Sequence, residues 1–415
     1  MKKKFFSILL TLVLALSLCL VTAVPVAAAT PIYVDAATGD DGDDGESLET
    51  AVATIAKGIE LVDSGGVVNV AAGTYEENVV VDKTLTLEGE DRETTEIKFG
   101  YGGYPSEPPL IISADEVTVS GFTIRSGPYI EKALGASGGY AHTIIVTGDS
   151  ALLTGLHVIK EPLKTYNNQP RIGGSAFLLT PSLEGFTLTD STVVSEWNGI
   201  YAREGSSNIV VQNVDFTYPG EYAILLKMIT GATIEENTFT CTADKYGVTV
   251  TRGSSGIGIV DNEFIGSGSL AGSHTGILLQ AYATGTMGDV TILSNGISDF
   301  NTGILVEIVA TSGISIHGNS IVGNTCGVNY LGSDVVDATN NWWGAADGPS
   351  GVGSGSGDAV SANVDYDPWL TALWVPTKAD ILKDNGVPGK GLDKAPGLQK
   401  PFNPNSQAGN NAGKK

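Results

Sequence analysis

The sequence predicts an all-β solenoid, a coil of short strands stacked one turn above another, and three observations carry that prediction. Asparagine returns at one phase of a short motif: Ile234-Glu-Glu-Asn237-Thr-Phe239, Val260-Asp-Asn262-Glu-Phe264, Leu293-Ser-Asn295-Gly-Ile297, Ile316-His-Gly-Asn319-Ser-Ile321 and Thr339-Asn-Asn341-Trp-Trp343. The spacings of 25, 33, 24 and 22 residues fit units that cannot bury an apolar face alone and must stack. A second run follows each motif, as in Gly199-Ile-Tyr-Ala, Ala223-Ile-Leu-Leu, Gly247-Val-Thr-Val, Gly276-Ile-Leu-Leu, Gly303-Ile-Leu-Val and Gly327-Val-Asn-Tyr. These four- to six-residue aliphatic and β-branched runs, broken by Gly, Asn, Ser and Thr, read as strands. The helical segments of leucine-rich repeats and the Trp-Asp signatures of propellers are missing.

Taken in order, the first 29 residues read as a signal peptide. Lys2, Lys3 and Lys4 precede an apolar run from Phe5 to Val21, and Ala27-Ala28-Ala29 offers a small-residue cleavage site. The run is short for a membrane anchor and ends at Pro25. Residues 30–370 read as one elongated domain. Ser47 to Val62 has apolar residues at helical spacing, with Ile55, Ile59 and Val62 on one face and Ser47 or Thr50 as its cap. An amphipathic helix there would close the open apolar end of the coil. Counting from Leu85 gives about ten coils, a rod about 45–50 Å long at roughly 4.8 Å per strand. Phe122, Leu156, Ser191 and Val214 hold the Asn phase in the earlier coils. Asn suits that phase because its short amide tolerates a left-handed turn and because stacked amides can form a ladder. Trp342, Trp343 and Trp369 read as the second lid, since a terminal repeat must hide its outer face. Residues 371–415, with Pro376, Pro388, Pro396, Pro401 and Pro404 among Gly, Asn and Lys, read as a disordered tail or linker.

The formal charge of −23 is unevenly spread. Three of the 23 basic residues lie in 1–29 and seven in 371–415, so the body keeps 13 basic against 43 acidic residues. No Lys or Arg stands between Arg252 and Lys378. Such a body repels nucleic acid and anionic membranes, and it suits solubility outside the cell. Cys241 and Cys326 lie about three coils, roughly 14 Å, apart, too far for a disulfide, and read as buried small apolar residues.

Together these features resemble the secreted right-handed parallel β-helix proteins of the pectin lyase-like superfamily. The opening Ile32-Tyr-Val-Asp-Ala-Ala-Thr-Gly39, the helix and Val67-Val-Asn-Val-Ala-Ala-Gly-Thr-Tyr-Glu-Glu77 resemble that family's entry segment. Asn340-Asn-Trp-Trp-Gly344, Gly348-Pro349 and Tyr366-Asp-Pro-Trp-Leu370 resemble the closing segment of many bacterial and archaeal members. The resemblance implies a right-handed parallel β-helix of about ten coils with an N-terminal α-helical cap. It leaves activity open, because the family spans lyases, hydrolases, esterases, epimerases and proteins without known chemistry. Gly73-Thr-Tyr75-Glu76-Glu77 resembles the first signature of pectin methylesterases, but their later Gln-Asp and Asp-Phe-Ile-Phe-Gly blocks are absent. His317-Gly318 is only a fragment of the polygalacturonase Gly-His-Gly, and the Asp-Pro-His-Asp block of mannuronan epimerases is missing.

Aligning the second strands sets Thr147, Thr180, Arg203, Lys227, Thr251, Gln280 and Glu307 in one outward column. Tyr201 stands two residues earlier in its strand, Trp197, Tyr222 and Tyr246 stand just before theirs, and Arg252 flanks the column. Three longer loops, 99–109, 127–141 and 161–174, carry Tyr140, Tyr166 and Arg171 and would wall a groove. Aromatic rings cover the apolar faces of sugars and guanidinium groups grip carboxylates, so these residues form the candidate site for an acidic glycan. The competing reading is a solvated face with ion pairs such as Arg203–Glu221 or Lys227–Glu204. The acidic loop Asp40, Asp41, Asp43 and Asp44 is a candidate calcium site on hard oxygen ligands, although Gly42 occupies a ligand position of the EF-hand pattern. The sequence thus predicts a secreted, monomeric β-helix that binds acidic polysaccharide or cell-surface glycan along a lateral groove. As an enzyme it would be a polysaccharide lyase or glycoside hydrolase. The alternative is a non-catalytic surface or adhesion spacer.

Overall fold

The computed structural model describes residues 29–98, 108–126, 142–161, 174–218, 220–241, 245–268, 274–283, 285–308 and 313–373. The expectations for the leader up to residue 28 and for the tail from 374 lie outside them. Parallel strands form two sheets, one of 21 strands and one of 12. A typical coil contributes three segments, such as Thr230–Glu235, Thr238–Cys241 and Tyr246–Thr251. The first two belong to the larger sheet, and each segment pairs in register with its counterpart in the next coil: Thr230 with Ser255, Thr238 with Glu263, Tyr246 with Thr275. Counted from Thr86–Gly89 to Val336–Asp337, strands at the first-segment position give the ten coils the repeat predicts; Ile32–Val34 and Val67–Val70 extend the stack before them and Val364–Asp365 after.

Alternation along each strand puts every second residue inside, so like residues stack down the rod. Ile234, Ile259, Ile292 and Ile316 share one core position. Phe216, Phe239 and Phe264 share another, with ring centroids 5.0 and 4.5 Å apart, and Ile297 and Ile321 continue it. All nine are buried. Each coil therefore caps the apolar surface of the one before it, at about 25 cal/mol per Å² removed from water.

The recurring Asn forms a continuous ladder. Asn237 Nδ2 donates to Asn262 Oδ1 (2.9 Å), Asn262 to Asn295 (2.9 Å), Asn295 to Asn319 (2.9 Å) and Asn319 to Asn341 (3.0 Å). Each Oδ1 also accepts the main-chain N–H of the preceding rung, beginning with Val214 N to Asn237. Ser191 does this for one rung, accepting Leu156 N at 3.0 Å. The structure corrects the reason given for Asn. The left-handed residue is the one before each rung: Asp190, Asn213, Glu236, Asp261, Ser294, Gly318 and Asn340 all have φ between 51° and 65°. That residue turns the chain between two strand segments with its side chain outward. The following position points inward, where a buried amide must satisfy main-chain groups the bend has freed.

The lid is shorter than its periodicity implies. Ser47 caps a 3-10 turn, Leu48–Thr50, and the α-helix spans only Ile55–Leu61, with Thr54 as its cap through Lys57 N (3.1 Å). Ile55, Ile59 and Val62 are buried together, as expected. Glu77 holds the lid down: its two carboxylate oxygens accept Ile55 N (2.9 Å) and Ala56 N (3.0 Å) at the helix start. The Tyr75 hydroxyl donates to Ala71 O (2.9 Å) and accepts Ala36 N (3.3 Å). The esterase-like Gly-Thr-Tyr-Glu-Glu segment is thus the clasp that fixes the entry segment to the first coils. At the other end Trp343 is fully buried, and Trp369 Nε1 donates to Ala346 O at 3.2 Å. Gly348, with φ +87°, lies under the Trp369 ring, where a Cβ would sit 2.6 Å from it. Cys241 and Cys326 are both free; Cys241 is buried, whereas Cys326 is only half-buried.

Candidate functional site

The 12-strand sheet brings most of the sequence-predicted residues onto one side of the rod. Ser175, Asn198, Tyr222, Tyr246 and Thr275 stand at one register position on successive coils, and Leu178, Tyr201, Leu225, Thr249 and Leu278 at another. Amide bonds from Thr180, Arg203, Lys227 and Glu307 to the carbonyls of the coil before set these residues at matching positions at the strand ends. Thr249, Thr251 and Leu278 belong to the outer side by alternation but are buried, so the accessible part of the column is uneven.

Tyr222 and Tyr246 stack, with centroids 5.3 Å apart and planes 18° from parallel. Burial pushes the Tyr222 hydroxyl up to about 12, and the charge of Glu221 adds to this; burial, then Glu307 and Glu221, raises Tyr246. Both phenols therefore stay protonated at neutral pH and can donate. Trp197 is half-buried beside them, its carbonyl accepting Glu221 N at 2.7 Å.

The cations are arranged differently from the sequence expectation. Lys227 Nζ lies 3.6 Å from Glu204, as expected, but Arg203 Nε also turns to Glu204, at 3.4 Å, and not to Glu221. Arg203 Nε and Glu204 Oε2 make no aligned hydrogen bond. Glu204 follows Arg203 directly and ends the coil next to that of Lys227, whereas Glu221 sits at the other end of the Lys227 strand, next to Tyr222. Long, half-exposed pairs of this kind are worth about 0–1 kcal/mol, so a competing carboxylate can displace Glu204. Arg252 makes no ion pair among the described residues. Tyr140, Tyr166 and Arg171 lie outside the described residues.

Sequence reasoning missed the corner beneath this face. Lys160 ends the strand His157–Lys160 at an inward position that Ser126 and Ser195 occupy on neighbouring coils. It is 2% exposed, donates to Glu161 O at 3.0 Å, and burial lowers its pKa to about 8. The Glu161 carboxylate itself goes to Arg125 Nη1, 2.7 Å away. His142 Nδ1 accepts Ser175 N at 3.0 Å, and burial, reinforced by the charges of Lys160 and Arg203, pushes the imidazole down to about 4. The available signal was phase: Lys160 stands two residues after buried Val158, where alternation turns a side chain inward.

Among the described residues no three His, Cys, Asp or Glu side chains are grouped so that they could hold a metal ion. In the acidic loop, Asp41 accepts Ala53 N (2.9 Å), Thr54 N (3.0 Å) and the Thr54 hydroxyl (3.0 Å). Asp40 accepts Gly42 N and Asp44 accepts Glu46 N. Asp41 fastens the turn to the lid, Asp40 and Asp44 brace the turn itself, and Asp43 stays exposed.

With parallel coils, ladder and lid in place, sequence comparison adds the handedness. Residues 175–342 match the family described as right handed beta helix region. The chain folds as a right-handed parallel β-helix. No protein of curated function matches it in sequence. Among solved structures, the β-helix is similar to the complex of XylC with xylose, at 12% identity and TM-score 0.45, covering 74% of this chain and 70% of that one. It is also similar to GH136 lacto-N-biosidase from Eubacterium ramulus, at 12% identity and TM-score 0.39, covering 72% of this chain and 64% of that one. For pectin methylesterase from carrot the values are 11% and 0.36, covering 90% and 97%. Likeness at this level bears on fold alone. No helix among the described residues is long and apolar enough to cross a membrane.

Proposed function

We propose that this β-helix acts outside the cell and binds acidic polysaccharide along the side of the rod formed by Trp197, Tyr201, Arg203, Tyr222, Lys227, Tyr246 and Arg252. The observation that carries this reading is the Tyr222–Tyr246 stack, two near-parallel rings on adjacent coils of the sheet whose strands are followed directly by Arg203, Lys227 and Arg252, in a body otherwise depleted of cations. A pyranose presents an apolar face to such rings, and the protonated phenols donate to its hydroxyls. Arg203 and Lys227 are held only by long contacts to Glu204, and Arg252 has a guanidinium free of ion pairs among the described residues, so a uronate carboxylate has partners to recruit. Tyr140, Tyr166 and Arg171 are proposed to border the same groove.

The test is titration of the full chain with a polyuronate and with a neutral glucan of equal length, at low and high salt. Binding selective for the polyuronate, weakened about tenfold or more by Tyr222→Ala plus Tyr246→Ala and by Arg203→Ala plus Lys227→Ala, supports the reading. No binding, or undiminished binding in both double variants, removes this groove and leaves the stiff spacer that the Asn ladder also suits. Release of unsaturated uronate products in the same mixtures would add a lyase step.

A further inference from the structure

A second feature lies on the opposite sheet and is independent of the glycan reading. A cleft of about 560 Å³ runs along the turn between the first two strand segments of several successive coils. Its charged walls are Glu236, Asp261 and Glu263; Ser294, Ser298 and Ser320 continue it, Val322 lies at its far end, and no Lys or Arg lines it. Glu263 extends over Gly296 of the next coil, where a Cβ would lie 2.5 Å from its carboxylate, and it makes no ion pair among the described residues.

The last described residue, Leu373, also lines this cleft, three residues after Leu370, whose N–H donates to Asn341 O on the last rung. The chain thus passes from the last rung into the lining of the cleft. Ser320, Gly296 and Glu263 occupy one register position on consecutive coils, so Glu263 stands about 10 Å beyond Ser320 at roughly 4.8 Å per coil. Five extended residues span up to about 17 Å, and the fifth after Leu373 is Lys378, the first cation of the sequence since Arg252. Residues 374–415 carry seven Lys and three Asp.

We propose that this cleft is the docking groove of the chain's own C-terminal segment. The segment runs back along the rod from Leu373, with Lys378 and Lys383 set against Glu236, Asp261 and Glu263. The experiment is zero-length carbodiimide cross-linking of the full chain, mixed with an isotope-labelled copy, digested and read by mass spectrometry. The expected product joins Lys378 to Glu236, Asp261 or Glu263 within one copy, and its yield falls at least about fivefold between 20 mM and 500 mM NaCl. Links spread evenly over acidic residues of other faces, such as Asp115 and Glu184, overturn the proposal, as do links joining two copies. Because changing the three acids can disturb the coil beneath them, a second measurement alters only the tail. In Lys378→Glu plus Lys383→Glu, chymotryptic cleavage after Trp374 or Leu382 should accelerate at least about fivefold at low salt. An unchanged cleavage rate overturns the proposal.

Discussion

Removing one rung, Asn295→Ala, tests whether the amide ladder stabilises the coils or merely accompanies them. Asn295 is 1% exposed. Its Oδ1 accepts Asn262 N at 3.0 Å and Asn262 Nδ2 at 2.9 Å, while its Nδ2 donates to Ile259 O (2.9 Å), Leu293 O (3.1 Å) and Asn319 Oδ1 (2.9 Å). With two protons shared among three acceptors, the substitution removes about three to four full hydrogen bonds at about 1 kcal/mol each, net of water. It also orphans the buried Asn262 N–H, at a further cost of about 1–3 kcal/mol. The worked loss is about 4–7 kcal/mol, to be measured by urea denaturation at constant slope. Hydrogen exchange gives a local readout, because the Asn262 amide should lose its protection before amides near the lid. Asn213→Ala is the control: Asn213 precedes the ladder position, and its amide reaches only the exposed carboxylate of Asp190, so about 1 kcal/mol or less is expected. A loss under about 1 kcal/mol for Asn295→Ala, with Asn262 still protected, would refute the assignment of rung stability to these amides.

Three further outcomes follow from buried groups. His142 has a folded pKa of about 4 against an ordinary 6.5, so its neutral form is favoured by folding. The stability it contributes is complete above pH 6.5 and is lost as pH falls toward 4, up to about 3 kcal/mol, and a thermal-melt series should show that fall damped in His142→Gln. Lys160, lowered to about 8, is charged at pH 7 with its ammonium donating to Glu161 O; Lys160→Met should raise the melting temperature by a few degrees at pH 7 and by less at pH 10. Trp343→Ala should cost about 3–5 kcal/mol and expose the last coil, read as faster exchange of the Ile321 and Val328 amides.

Much of the fold was legible because each coil repeats the same local problem. Strand length, inward phase and the rung position are written every 22 to 35 residues, so Asn237, Asn262, Asn295, Asn319 and Asn341 could be aligned before any contact was known. The lid was half legible. Its apolar face was right, but the helix begins at Thr54 because Ser47 and Thr50 are spent on a 3-10 turn. The stacked Tyr222 and Tyr246 and the column of Arg203 and Lys227 followed from the same alignment. The partner of Arg203 did not, because two carboxylates were in reach on paper and only side-chain geometry chose Glu204. Lys160 escaped notice because a single inward cation has no periodic neighbour to reveal it.

By itself, the sequence determined a rod of stacked parallel coils, its apolar stripes, its asparagine rungs and its closed ends, because each follows from residue type at a fixed phase of a short repeat. Tertiary structure alone decided where the left-handed turn falls, which carboxylates clasp the lid, how Arg203 and Lys227 are paired, and that Leu373 lines the acidic cleft. Those outcomes depend on distances between groups whose positions are fixed only when neighbouring coils, 22 to 35 residues apart in the chain, settle against one another.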